Sequence, residues 1–183
     1  MENPGAGEER AGPASGEAGE PEEADKRLAL GTPVGVGQPA FLLRLSDALR
    51  AAPDADALAH RALGMLAEQL ALDRCYIGVY RLAEDWGDFP YQVGNADVPP
   101  VPAGVRLSDF PNALRVAFDR TLVLDDVAAA PGLTDADRSN LGALGVRALV
   151  AATLRAGEGR PLWSIVAVSA RPRLWTPGEV ALL

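Results

Sequence analysis

An α+β architecture, a central antiparallel β-sheet with helices on both sides, is what this sequence predicts, and three observations predict it. Between residues 121 and 170 the apolar pattern runs from a short strand-like segment to helical spacing and back to two long strand-like segments. The last two are joined by a turn carrying Gly157 and Gly159, which is the grammar of a β-hairpin. Both are so rich in valine, isoleucine and alanine that the sheet must be covered on at least one face. Helical periodicity stands before and after them to cover it.

In chain order, residues 41–50 (FLLRLSDALR) place apolar side chains at 41, 42, 45, 48 and 49, the spacing of one helix face. Pro53 and Asp54 interrupt it. A longer helix over 54–70 then repeats Ala55, Leu58, Ala62, Met65, Leu66 and Ala67 on one side. Residues 73–82 (DRCYIGVYRL) alternate, with Tyr76, Gly78 and Tyr80 on one face and Cys75, Ile77 and Val79 on the other, and read as the first strand. Residues 84–88 form a turn. Residues 89–93 (FPYQV) form a shorter strand, assigned to an edge because Pro90 has no N–H for a ladder.

A proline-rich loop over 95–104 precedes a helix over 108–120, with Ser108 as its N-cap. Residues 121–125 (TLVLD) are a brief strand, placed with the hairpin at the sheet's centre. Thr134 followed by Asp137 spells a capping box for a helix to about Leu144, which Gly145 closes in the left-handed conformation. The hairpin strands are 146–154 and 162–169, Gly157 and Gly159 supply positive φ, and Pro161 precedes the second strand. Thr176, Pro177 and Glu179 start a last helix with four more residues, 180–183.

Residues 1–38 are different material. They hold eight acidic and three basic residues with glycine and proline throughout, too little apolar area to offset the entropy of ordering. They predict a disordered acidic tail carrying −5 of the chain's −8. The domain proper then occupies 39–183. A net charge of −8 argues against a nucleic-acid backbone as partner. No apolar run approaches a membrane span, so the expectation is a cytoplasmic protein with no membrane partner. The single cysteine, Cys75, forms no internal disulfide, and one Cys with one His makes no zinc set. Gly35, Gly37 and Ala40 match a dinucleotide-binding spelling, but no strand precedes them and they read as linker.

The order GVRALVAATL, glycine turn, LWSIVAVSA, RPRLWTPGEVALL, with RLSDF at 106–110, VLDDVAAAPGLTDADR at 123–138 and FLLRLSDALR at 41–50, resembles a GAF domain of the kind attached to bacterial PAS-containing sensor histidine kinases. The resemblance covers roughly residues 40–183 and implies a GAF-like, PAS-related fold. It implies a small-molecule pocket on the sheet face away from the terminal helices, for which the candidate ligand-binding residues are Tyr80, Tyr91, Arg106, Asp109, Phe110, Phe118, Arg147 and Trp163. Arg106 and Asp109 are the pair favoured for a polar ligand.

The same resemblance implies a homodimer or signalling partner reached through the terminal helices, with the C-terminal helix truncated here. Bilin-binding members attach chromophore through a later cysteine beside a histidine, so no cofactor is expected of Cys75. Members that reduce free methionine sulfoxide need more than one cysteine. The cyclic-nucleotide signature finds fragments in Asn112, Phe118, Asp125 and Asp126 but lacks its lysine. His60 is followed by Arg61 and Ala62, unlike a kinase phosphoacceptor. No nucleophile is paired with a base, so no enzyme is expected. Two readings stay open: a sensory module that binds a small molecule and passes a conformational change to an output, and a ligand-free interaction or dimerisation module.

Overall fold

The computed structural model describes residues 37–183 except 97, 158 and 159, so the acidic tail up to residue 36, Gly35 of the glycine motif and Gly159 of the hairpin turn lie outside the described residues. Its strands are β1 (Arg74–Arg81), β2 (Trp86–Gly94), β3 (Gly104–Arg106), β4 (Leu122–Leu124), β5 (Ala148–Ala156) and β6 (Arg160–Ser169). They form one antiparallel sheet in the order β3-β2-β1-β6-β5-β4. The alternation read in β1 is realised. Cys75 and Ile77 face one core, and Tyr76 faces another across the sheet.

The Cys75 side is covered by α1 (Gly37–Arg50), α2 (Ala55–Gln69) and α5 (Pro177–Val180). Phe41 and Leu63 are 1% and 0% exposed there, each burial contributing about 2 kcal/mol. The α2 helix starts at Asp54, whose carboxylate accepts the Ala57 N–H at 2.8 Å. The Tyr76 side is covered by α3 (Pro111–Asp119), α4 (Asp135–Ala143) and the 95–103 segment. Arg74 pins that segment, donating to the Val98 and Asn95 carbonyls and to Gln92. Gln92 in turn bonds both backbone groups of Val101 at 2.9 Å.

Several expectations need correction. The α1 helix begins at Gly37 rather than near Phe41, with Pro39 in the first turn, where its missing N–H leaves no bond unmade. The centre of the sheet is β1 with β6, and β4 is an edge. The second strand is internal and longer than read. Pro90 is tolerated because Ile77 pairs Tyr91 while Val79 pairs Asp88, so Phe89 and Pro90 together oppose Gly78 in a bulge.

Ser108 is no N-cap. It lies in a 3-10 turn (Leu107–Asp109), and its N–H and hydroxyl both donate to Asp85 at 2.8 and 2.6 Å. The helix starts at Pro111, a proline at its first position. Both hairpin strands run further into their turn than read, with Pro161 already paired opposite Arg155. Gly157 is not among the positive-φ residues. The capping boxes at Thr134/Asp137 and Thr176/Glu179 are both formed, and Gly145 has φ 73°.

Candidate functional site

Between the sheet and α3 lies a cavity of about 60 Å³. Tyr76, Leu149, Ala151 and Val166 form its floor, Phe110, Ala113 and Ala117 its roof, and Leu141 and Leu144 close one side. Small residues at 113 and 117, one turn apart on α3, are what leave the space. The walls are apolar apart from two phenols. Tyr80 is bonded hydroxyl to hydroxyl with Ser164, which is fully buried on the neighbouring strand. That reach depends on Gly78, since a Cβ there would lie 2.9 Å from the Tyr80 hydroxyl. Burial pushes the Tyr80 pKa upward, so the phenol stays neutral.

Tyr76 differs. It is 7% exposed and lines the cavity, and its hydroxyl makes no hydrogen bond to any described residue. Burial, and then the neighbouring Tyr80, hold its pKa well above the usual phenol. A ligand acceptor or a water at this point gives the hydroxyl a hydrogen bond it lacks within the fold, a net gain of roughly 0.5–1.5 kcal/mol.

The structure brings together only part of the residue set read from the sequence. Tyr80 and Phe110 line the cavity. Phe118 stands behind Tyr80, ring centroids 4.7 Å apart and edge to face, and holds it in place. The other five lie elsewhere. Tyr91 is on the opposite face, where its hydroxyl donates to Asp56 at 2.6 Å and its ring meets the edge of His60. Trp163 alternates with Ser164 and so shares that opposite face. Arg106 and Asp109 are exposed and form no ion pair with each other, and the Asp109 carbonyl instead accepts from Asn140 at 2.7 Å. Arg147 pairs with Asp126 at 3.6 Å on the surface. The alternation in β1 that placed Tyr76 beside Tyr80 was the signal for Tyr76. Nothing in the spacing singled out the alanines of α3.

With this geometry in view, the comparisons with known proteins define the class. The GAF domain family matches residues 54–183, and the chain belongs to that family. GAF domains are small-molecule-sensing modules of signalling proteins. No curated protein matches the chain.

Among solved structures, the GAF domain of an Acinetobacter phosphoenolpyruvate-protein phosphotransferase is similar at 11% identity, covering 81% of this chain and 86% of that one, with a TM-score of 0.62. A phycoerythrobilin-bound GAF domain from a cyanobacterial phytochrome is similar at 15% identity over 81% and 89%, TM-score 0.66. A far-red-absorbing dark state with bound biliverdin IXa is similar at 20% identity over 78% and 90%, TM-score 0.65.

These likenesses correct the expectation that no cofactor belongs here. Bilin-holding GAF domains share this fold, so a cofactor is plausible and the cysteine count does not exclude one. The residues present fit such a group only in part. The cavity is smaller than the roughly 300 Å³ at which ligand pockets begin, so a tetrapyrrole requires α3 to move outward. Cys75 is buried in the core on the other face with its thiol pushed up to about 12, so it gives no attachment point into this cavity. A chromophore held here would be held without a bond to Cys75. Among the described residues no helix is long and apolar enough to cross a membrane.

Proposed function

We propose that this chain is a regulatory GAF module that binds a small, largely apolar molecule between the sheet and α3 and acts by a shift in conformation rather than by catalysis. The observation that carries the reading is the apolar cavity itself, with Tyr76 on its lining and its hydroxyl making no hydrogen bond to any described residue. Apolar walls with one or two placed polar groups are what small-molecule sites use. A ligand larger than the present cavity opens α3 and its preceding turn, whose exposed ties are Ser108 to Asp85 and Asp109 to Asn140. Binding the open form better than the closed one is what shifts the equilibrium. In a bacterial sensor of the kind the sequence resembles, α1 and α5 pass that shift to an output domain or a second copy.

A second reading, a ligand-free dimerisation module, is favoured by two observations. The cavity is small, and α1 exposes Leu42 and Leu43 at 49% and 69%. Native mass spectrometry of the full chain purified from cells, compared with its denatured mass, separates the two. A reproducible extra mass, or visible absorbance in the case of a bilin, supports the sensor. A dimer with no added mass supports the interaction module.

A further inference from the structure

A wider concavity lies beyond Leu122, along the edge of the sheet. The β4 strand ends the strand order, paired with β5 on one side and with no strand on the other among the described residues. An edge strand directs the N–H and C=O of alternate residues outward, which makes it a template for a further strand. Alongside it runs an open cleft of about 760 Å³, walled by Arg115 and Val116 of α3, by Arg120 just after that helix and by Leu133 of the loop that follows β4. Val123 of the strand is 40% exposed beside the cleft.

The charged residues of the cleft, two arginines and two aspartates, stand at opposite ends. At one end Asp126 is matched by Arg147 at 3.6 Å and Asp125 accepts the Trp175 N–H at 3.0 Å. At the other end the Arg120 side chain has no ion pair or hydrogen bond with a described residue, and Arg115 has only a long bond of 3.5 Å to Asn112. Two arginines without carboxylates therefore flank one end of the strand edge, whose other end is held by Trp175 Nε1 donating to the Leu124 carbonyl at 3.1 Å and the Arg173 N–H donating to the Asp125 carbonyl at 2.9 Å.

We propose that this cleft receives an extended, acidic peptide segment of a partner protein as an added strand beside β4. The ladder supplies main-chain hydrogen bonds, the apolar wall takes alternate side chains, and the arginines select acidic residues at one end. Because β4 has only three residues, the contact is a weak and reversible one.

The test titrates the isotopically labelled full chain, followed by amide NMR, with a seven-residue peptide of alternating valine and threonine ending in two glutamates. Expected are shifts centred on Leu122–Leu124 and the end of α3, at least fivefold tighter binding than for the same peptide ending in two lysines, and loss of that preference in the Arg115→Ala/Arg120→Ala double variant. N-methylation of alternate peptide residues should abolish binding in one phase and spare it in the other. Failure of the acidic peptide to shift β4, equal binding of the lysine peptide, the same shifts from acetate alone, or indifference to the methylation phase would each overturn the proposal.

Discussion

The carboxylate of Asp137 in α4 accepts the backbone N–H of Ala113 in α3 at 3.1 Å, and so ties together the first turns of the two helices that roof the cavity. The same group accepts from the Asn112 N–H at 3.3 Å, from the Thr134 N–H at 2.8 Å and from the Thr134 hydroxyl at 2.7 Å, while being fully buried. One charge therefore satisfies donors at two helix N-termini, where anions are favoured.

Burial alone would raise the Asp137 pKa, but the bonds from Thr134, Ala113 and Asn112 outweigh it and leave it below the usual carboxylate range. A depressed native pKa contributes stability that is present above the unfolded value of about 3.9 and is lost as pH falls through the native value. Asp73 and Glu179 are shifted the same way. Stability should therefore drop steeply below about pH 4. Asp137→Asn should cost roughly 3 kcal/mol at neutral pH, because its amide turns a donor toward N–H groups. Denaturant unfolding of the parent at pH 7 and pH 3 checks the first statement, which equal stability at the two would contradict, and unfolding of the variant at pH 7 checks the second, which a variant as stable as the parent would contradict.

Gly145 and Gly132 make a second comparison. Both have positive φ, 73° and 83°. A Cβ at 145 would lie 2.7 Å from Cδ of Pro99, whereas nothing stands within 4 Å at 132. Gly132→Ala should cost about 1 kcal/mol for its backbone alone, and Gly145→Ala about 2 kcal/mol or more because the 95–103 segment must also shift. Thermal melts of the two variants rank them, and equal losses would mean that Pro99 yields freely.

How much was legible follows from what each signal encodes. Capping boxes and strand alternation are local, and Thr134, Thr176 and the two faces of β1 came out as read. Strand order is not local. Residues 121–125 read as central from their apolar content, yet β4 is an edge whose cavity face alone is fully buried, with Leu122 and Leu124 at 7% and Val123 at 40%. Pro90 suggested an edge by its chemistry, but a bulge against Gly78 absorbs it, and a bulge leaves little trace in one strand's sequence. The candidate residues were chosen by type, and type does not encode position. Arg106, Asp109, Tyr91, Arg147 and Trp163 have ligand-binding chemistry but lie outside the cavity, whereas Ala113 and Ala117 shape it by being small.

Cys75 provides a probe of opening that needs no ligand. It is fully buried, and burial pushes its thiol up to about 12, so the native state presents almost no thiolate at pH 8. Its reaction with a disulfide reagent at pH 8 should be slow and should accelerate with mild denaturant in step with unfolding of the α1–α2 side. Immediate stoichiometric reaction of the native protein would show that this core opens on its own.

The two cavity phenols carry the sharpest functional contrast. Tyr80→Phe removes the partner of the buried Ser164 hydroxyl and should cost roughly 1–2 kcal/mol of stability. Tyr76→Phe removes a hydroxyl that has no partner among the described residues, so it should leave stability unchanged or raise it slightly. If that hydroxyl anchors a ligand, the same change should lower retention of the co-purifying mass about tenfold, an amount equal to about 1.4 kcal/mol of binding. Ala117→Val, which adds volume at a cavity wall that is 2% exposed, should act in the same direction by filling the space. Native masses and melting temperatures of the three variants measured side by side decide the matter. A Tyr76→Phe protein that keeps its bound mass in full would remove this hydroxyl from the site, and one that loses several degrees of stability would mean the hydroxyl is already satisfied within the fold.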